Sequence, residues 1–150
     1  MIARLSSLLL LCGALLAAAD AAVPPVVLKT AAELAAGLAK SAAGNPDQIT
    51  SAISNQDHYR INIVKRERPG IAMAHGTGPA KGTEVHYILD GAATVVTGGT
   101  LAKATISGGE TRRVSKGDVI VLPAGTPHWY QAIEGSVTYL EVRFDVELGK

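Results

Sequence analysis

The sequence has almost no cysteine. Of its 150 residues only Cys12 carries a thiol, and this residue lies in an apolar N-terminal run that we expect to be removed on export. Once it is lost, the chain has no disulfide, no thiolate metal ligand and no cysteine nucleophile. Any bound metal must then be held by histidine, aspartate or glutamate side chains.

The sequence also lacks an excess of either charge. Lysine and arginine number 14 against 13 aspartate and glutamate residues, and no basic stripe suggests a nucleic-acid partner. We find no phosphate-binding loop, no dinucleotide-binding glycine pattern and no serine nucleophile motif. A chain of this length fits one domain with one core, so any chemistry belongs to that domain.

The first 21 residues have the pattern of an export signal. One positive charge in MIAR precedes the apolar run LSSLLLLCGALLAAA, and small residues at positions 19–21 suit cleavage. The run is too short to span a bilayer comfortably, although a membrane anchor or a buried helix is the alternative. We therefore expect a mature chain that begins near Ala22, is periplasmic or secreted, and has no membrane contact after cleavage.

Residues 22–57 are predicted to form a linker and a short helical extension. The stretch KTAAELAAGLAKSAAG contains a possible capping box at Thr30 and Glu33. Leu34 and Leu38 form a narrow apolar stripe that suits docking on a larger body. The following stretch, NPDQITSAIS, predicts a second short helix, since asparagine and proline are favoured at the start of a helix.

Residues 58–148 have the pattern of short strands. Alternating apolar and polar residues in HYRINIVKRE repeat with a period of two, and glycine-containing turns separate the segments that follow. The pairs Asp90–Gly91 and Glu134–Gly135 predict two of these turns. This density of strands predicts an all-β sandwich or barrel and leaves no room for helical crossovers between parallel strands.

One stretch, GDVIVLPAGTPHWYQA, is the most specific in the chain. Gly117, Pro123, Gly125 and His128 match the second conserved motif of the cupin superfamily, which it resembles, while Ala132 stands where that family often has asparagine. The resemblance implies a jelly-roll barrel, also called a double-stranded β-helix, over residues 58–148. It leaves the reaction open, because one fold supports many functions.

The stretch HGTGPAKGTEVHYILDG resembles the first cupin motif in its second half only. Glu84 stands where the family has a metal-binding glutamate, but Pro79 and Thr77 stand where its paired histidines are expected. His75 is two residues further upstream, and a longer loop would align it with either the first or the second of those histidines. The resemblance thus implies metal ligands at Glu84, His75 and His128.

The orientation of this strand has two opposed interpretations. Glu84 and His86 are two residues apart and share a face. Simple alternation favours Val85, Tyr87 and Leu89 in the interior, which would leave Glu84 and His86 in water. The resemblance implies the reverse, with the apolar face covered by the N-terminal helix or by a second subunit.

The resemblance implies a metal-dependent enzyme of the dioxygenase, isomerase or lyase type that acts on a small molecule, and the N-terminal signal pattern implies that it is exported. The divalent ion (Fe, Mn, Zn or Ni) would be held by His75, Glu84, His86 and His128. His86 is either a ligand or a general acid/base, and Tyr130 shares the face of His128, so both are candidate catalytic residues. The alternative is a non-catalytic cupin that binds a small sugar or organic acid. A homodimer is expected by the same resemblance.

Overall fold

The structure of the protein is a computed structural model that describes residues 25–56, 58–74 and 82–144. The predicted export signal and His75 lie outside the described residues. Among those described, no helix is both long and apolar enough to cross a membrane. These residues form one helix and eight strands: α1 (Ala31–Gly44), β1 (Ile49–Asn55), β2 (Tyr59–Arg66), β3 (Thr83–Thr97), β4 (Thr100–Ala102), β5 (Thr105–Ser107), β6 (Glu110–Ser115), β7 (Val119–Leu122) and β8 (His128–Phe144).

The helix α1 begins at the predicted capping box. The Thr30 hydroxyl accepts a hydrogen bond from the Glu33 backbone N–H at 3.3 Å, and the Glu33 carboxylate accepts one from the Thr30 backbone N–H at 2.8 Å. Two of the N–H groups that a helix start leaves without partners are satisfied in this way. The prediction of this helix is confirmed.

The predicted second helix was wrong. The side chain of Asn45 accepts a hydrogen bond from the Asp47 backbone N–H at 3.1 Å, so these residues form a turn that ends α1 and reverses the chain. The residues that follow form β1, which pairs with β2 in antiparallel register. Burial of Ile49 and Ser51 in the sheet outweighs a weak local preference for helix.

Two long strands connect the layers of the barrel. The main sheet has the order β1-β2-β8-β3-β6, and β7 also pairs with β3. The first part of β3 pairs with β7 and the later part pairs with β6, while β8 pairs with β3 along nearly its whole length. All of these pairings are antiparallel. The arrangement is the predicted jelly-roll barrel with a short N-terminal helical extension.

The two predicted turns at Asp90–Gly91 and Glu134–Gly135 were also wrong, because β3 and β8 continue through both positions. Gly91 has a φ of +76°, and the β3–β8 register shifts on both sides of it. A Cβ atom at this position would lie 1.8 Å from the Ser136 carbonyl oxygen. Glycine here produces a bulge that bends two paired strands instead of reversing the chain.

The barrel interior is apolar in its middle. Val64 and Ile88 both lie opposite Tyr139, on β2 and β3 respectively, and all three side chains are buried. The core cluster as a whole consists of Val64, Ile88, Ala93, Val95, Val114, Tyr130, Val137 and Tyr139. This cluster holds together β2, β3 and β8, the strands that also carry a group of buried polar side chains.

The helix α1 does not cover the outer face of β3. It packs on β1, where Gly37 allows contact with Ser51 and the Ser41 hydroxyl accepts a hydrogen bond from the Thr50 backbone N–H at 2.9 Å. Tyr87 keeps 42% of its surface exposed. The expectation that the helix covers this residue was wrong, because the helix lies at the far edge of the sheet.

Candidate metal centre

A row of polar side chains crosses the barrel interior beside the apolar core. His86 on β3 lies directly opposite Glu141 on β8, which in turn lies opposite Asn62 on β2. One step along the strands, Glu84 lies opposite Arg143. Directly opposed residues in antiparallel strands share a face, so the register gathers these side chains inside the barrel. The interior orientation of Glu84 and His86 follows the family resemblance and not simple alternation.

His86 lies at the centre of this group. Its Nε2 is 3.1 Å from Glu84 Oε2 and 3.9 Å from Glu141 Oε2. Its Nδ1 is 3.1 Å from the Tyr130 hydroxyl. Both ring nitrogens therefore have polar partners although the residue is buried, as burial of an imidazole requires.

The two carboxylates are held in place by different partners. Arg143 Nε lies 3.2 Å from Glu84 Oε1, and the Asn62 side-chain amide donates to Glu141 Oε1 at 3.0 Å. In each case the other carboxylate oxygen is the one that faces His86. These contacts orient one oxygen of each carboxylate towards the same point.

His128 lies beside the group, and its Nε2 is 3.9 Å from Glu84 Oε2. Its Nδ1 is 3.1 Å from the Thr126 carbonyl oxygen. Since a carbonyl only accepts, Nδ1 carries a proton, and in the neutral form of the ring Nε2 is the nitrogen with the lone pair. His128 also exchanges two backbone hydrogen bonds with Met73, at 2.7 and 3.0 Å. The segment that leads to His75 thus passes His128, while a ligand role for His75 stays a prediction.

Two stacked tyrosines border the site on its apolar side. The rings of Tyr130 and Tyr139 are 5.0 Å apart and nearly parallel, and Arg66 Nε donates to the Tyr139 hydroxyl at 3.1 Å. Burial raises the pKa of Tyr130 well above its ordinary value and that of Tyr139 to about 12. Both hydroxyls are therefore protonated near neutral pH. Tyr130 can donate a hydrogen bond to His86 or accept one from it, but it is not a general base.

The donor set fits a divalent cation. Glu84, His86 and Glu141 are all buried, and one ligand atom from each lies within 4.8 Å of the others. Arg143 contacts Glu84, whereas the Asn62 amide that contacts Glu141 is neutral. Burial of carboxylates in a barrel interior is costly unless their charge is compensated, so a cation between them would be stabilising. Imidazole and carboxylate ligands together suit Fe(II), Mn(II), Zn(II) or Ni(II). With Glu84, His86 and Glu141 as ligands, a mononuclear site has positions left for a substrate.

Glu141 was not predicted as a site residue. The signal for it was present, because Tyr139, Glu141 and Arg143 alternate with the apolar residues Leu140 and Val142. This pattern gives β8 one polar face, as the stretch EVHYIL does for β3. His58, the remaining histidine, is exposed, and no contact within the described part of the chain places it in the site.

Comparisons with known proteins agree with this fold. A family model for Cupin matches residues 43–146, whereas no curated protein matches the chain. Among solved structures, KdgF from Halomonas sp. is 22% identical with a TM-score of 0.51, over 69% of this chain and 84% of that protein. The SPY1581 protein of unknown function from Streptococcus pyogenes is 24% identical with a TM-score of 0.51, over 69% of this chain and 78% of that one.

A third structure, the Cnp3 cupin domain of Schizosaccharomyces pombe, is 14% identical with a TM-score of 0.53, over 67% of this chain and 63% of that one. At these identities the likeness concerns the fold alone. The family model covers most of the chain, including the strands that carry the buried His/Glu group. The protein therefore belongs to the cupin family.

Proposed function

We propose that the protein is an exported, metal-dependent cupin enzyme that acts on a small molecule. The observation that supports this most directly is the buried group of Glu84, His86 and Glu141, whose ligand atoms lie within 4.8 Å of one another. We assign these three residues as ligands of one divalent ion, with His128 beside them as a further ligand. Export rests on the N-terminal sequence pattern.

The protein's own residues position the ligands. Arg143 and Asn62 each hold one oxygen of a carboxylate, so that the other oxygen faces the site. When His86 binds a metal through Nε2, its Nδ1 carries the proton, and this N–H donates a hydrogen bond to the Tyr130 hydroxyl. A divalent ion held by Glu84, His86 and Glu141 would polarise a carbonyl or carboxylate oxygen of the substrate. The apolar core beside the site limits access of water.

Metal analysis of the purified protein tests this proposal. We expect about one equivalent of a divalent transition metal, or its uptake after incubation with Fe(II), Mn(II), Zn(II) or Ni(II) salts. His86→Ala should lose the metal, whereas His58→Ala is the control and should retain it, because His58 is exposed and is not a member of the buried group. Metal-free wild-type protein that also takes up none of these ions would contradict the ligand assignment.

The same structure supports one other function. Glu84 and Glu141 already have protein partners in Arg143 and Asn62, so the polar row is also suited to hydrogen bonding with a small sugar or organic acid. Turnover separates the two functions. Metal-loaded protein that converts a member of a panel of small carbonyl, carboxylate and sugar compounds is an enzyme, while saturable binding without turnover identifies a binding protein.

Tyr130→Phe should weaken metal binding without unfolding the protein. The substitution removes the hydroxyl that is 3.1 Å from His86 Nδ1 but keeps the ring stacked on Tyr139. Loss of such a supporting hydrogen bond costs about 10- to 100-fold in metal affinity. Tyr59→Phe, which removes a hydroxyl that accepts a hydrogen bond from Ser54 outside the site, is the matched control. Isothermal titration of both variants checks the prediction, and unchanged affinity in Tyr130→Phe would exclude the positioning role.

A further inference from the structure

Two arginines lie directly opposite each other at the end of the barrel that carries the metal centre. Arg60 on β2 is the register partner of Arg143 on β8, and Arg143 is the register partner of Glu84 on β3. Directly opposed residues of antiparallel strands share a face. The three side chains therefore form one row across the strands, which we name the arginine row. It is the neighbour of the row that contains His86 and Glu141.

The arginine row runs from the buried metal centre to the surface. The Glu84 side chain keeps 2% of its surface exposed and that of Arg143 keeps 16%, while Arg60 is exposed. On the other side of the metal centre, Val64 and Tyr139 belong to the buried apolar core. Within the described part of the chain, exposure thus rises from the metal centre towards Arg60, and a small molecule can approach the centre along this row.

Arg60 lies on the interior face of its strand. It is two residues from Asn62, and residues two apart in a strand lie on the same face. The Asn62 side-chain amide donates a hydrogen bond to Glu141 Oε1 at 3.0 Å inside the barrel, which identifies this face as the interior one. Arg60 is therefore exposed because it stands near the beginning of β2, where the barrel ends, and not because its strand turns it outwards.

Arg60 forms no ion pair with a carboxylate in the part of the chain that the structure describes. Three other exposed arginines each form one, namely Arg68, Arg112 and Arg113. Like charges that lie directly opposite each other in a sheet are destabilising, and the residue opposite Arg60 is a second arginine. An anion between the two guanidinium groups would relieve this repulsion.

The charge of the arginine row favours a carboxylate over other ligand groups. Arg143 Nε lies 3.2 Å from Glu84 Oε1, so the charge of Arg143 is already shared with a protein carboxylate, and the charge of Arg60 is left for a ligand. A carboxylate carries a single negative charge, whereas a phosphate monoester carries about 1.5 to 2 near neutral pH. Guanidinium groups bind carboxylates through charge-assisted hydrogen bonds, which a neutral sugar cannot form.

We propose that Arg60 and Arg143 bind the carboxylate group of the substrate, which is therefore a small organic acid. This inference rests on the proposed function, because it places the rest of the molecule at the metal centre. The carboxylate would lie between β2 and β8, and the metal between β8 and β3, which are the next pair in the sheet. The two positions are one strand spacing apart, about 4.8 Å. A short acid with a carbonyl oxygen at its other end spans this distance.

Isothermal titration of the purified full chain, with and without added metal, tests this inference. The probes are 4-oxopentanoate and its uncharged amide, 4-oxopentanamide, which differ in the carboxylate alone. We expect the wild type to bind the acid at least about tenfold more tightly than the amide, since hydrogen bonds between charged groups are the strong ones. Arg60→Gln should lose this preference. Arg68→Gln is the matched control and should keep it, because Arg68 is also exposed but pairs with Asp47.

Metal uptake distinguishes failure of this inference from failure of the proposed function. Arg60→Gln should take up as much metal as the wild type, because Arg60 is not a member of the buried ligand group. A wild type that binds metal but does not prefer the acid would overturn the carboxylate site alone. A wild type that binds no metal but prefers the acid, and loses the preference in Arg60→Gln, would support the carboxylate site and contradict the metal centre.

Two further results would overturn the carboxylate site. One is an unchanged preference for the acid in Arg60→Gln, because the guanidinium group of Arg60 would then have no part in binding. The other is tighter binding of hydroxyacetone phosphate than of 4-oxopentanoate, which would assign the arginine row to a phosphate group. Circular dichroism should show Arg60→Gln folded, since the substituted side chain is exposed.

Discussion

Replacing Glu141 by glutamine is expected to lower the affinity for a divalent metal by about a hundredfold or more. Glutamine keeps the oxygen that accepts the 3.0 Å hydrogen bond from Asn62 and has nearly the same shape, so packing around the residue should not change. It removes the negative charge that faces His86 and Glu84. Changing even a group that only supports a metal ligand costs 10- to 100-fold, and loss of an anionic ligand should cost at least as much.

Thermal unfolding with and without metal measures this effect. At a free metal concentration about 100 times the dissociation constant, binding adds about 2.7 kcal/mol to the stability of the folded state. The wild type should therefore melt at a higher temperature when the metal is added, and Glu141→Gln should show no such shift at the same concentration. Glu134→Gln is the matched control on the same strand, because Glu134 is exposed and pairs with Arg113. An equal metal-induced shift in Glu141→Gln and wild type would remove Glu141 from the ligand set.

Replacing Gly91 by alanine should destabilise the protein by about 3 kcal/mol or more. Gly91 has a φ of +76°, which is unfavourable for alanine, and the added Cβ would lie 1.8 Å from the Ser136 carbonyl oxygen. Because that oxygen belongs to the backbone of β8, relief of the contact requires the two longest strands to separate. The bend that joins the layers of the barrel depends on their pairing.

Gly98→Ala distinguishes the two causes of this destabilisation. Gly98 has a nearly identical φ of +75°, but a Cβ atom there would meet nothing within 4 Å. Its substitution should cost only the conformational term, about 1 kcal/mol. Urea unfolding of both variants gives the difference. Equal losses of unfolding free energy in Gly91→Ala and Gly98→Ala would show that β3 and β8 adapt to the added methyl group.

Glu141 and Gly91 belong to connected parts of the molecule. His86 and Gly91 lie on β3, and Glu141 lies opposite His86 on β8. The register shifts around Gly91 determine which residues of β8 face which residues of β3. The geometry of the metal centre therefore depends on the bulge at Gly91, although Gly91 itself contributes no ligand.

Several features were predictable from contiguous segments because their causes are local. The spacing of Gly117, Pro123, Gly125 and His128 identified the family and with it the jelly-roll barrel, since each residue meets a requirement of one strand–turn–strand unit. The capping box of α1 involves residues three apart. Glu84 was predicted as a ligand in the same way, from its place in the stretch that resembles the first cupin motif.

Other features depend on partners that are distant in the chain. Periodicity shows that Glu84 and His86 share a face with each other, but not whether that face is the interior, because both faces of β3 carry apolar residues. The stretch NPDQITSAIS begins with residues that favour a helix start, and yet residues 49–55 form a strand, since pairing with β2 decides their conformation. The glycine pairs predicted as turns are bulges because β3 and β8 remain paired across them.

The sequence by itself determined the fold family, the first helix and the positions of His86, Glu84 and His128 as candidate ligands. Only the tertiary structure selected Glu141, which is 55 residues from His86 in the chain yet directly opposite it in the sheet. It also placed Arg60 directly opposite Arg143. The physical reason is the same in both cases, because strand register and sheet order are set by long-range backbone pairing that no local pattern encodes.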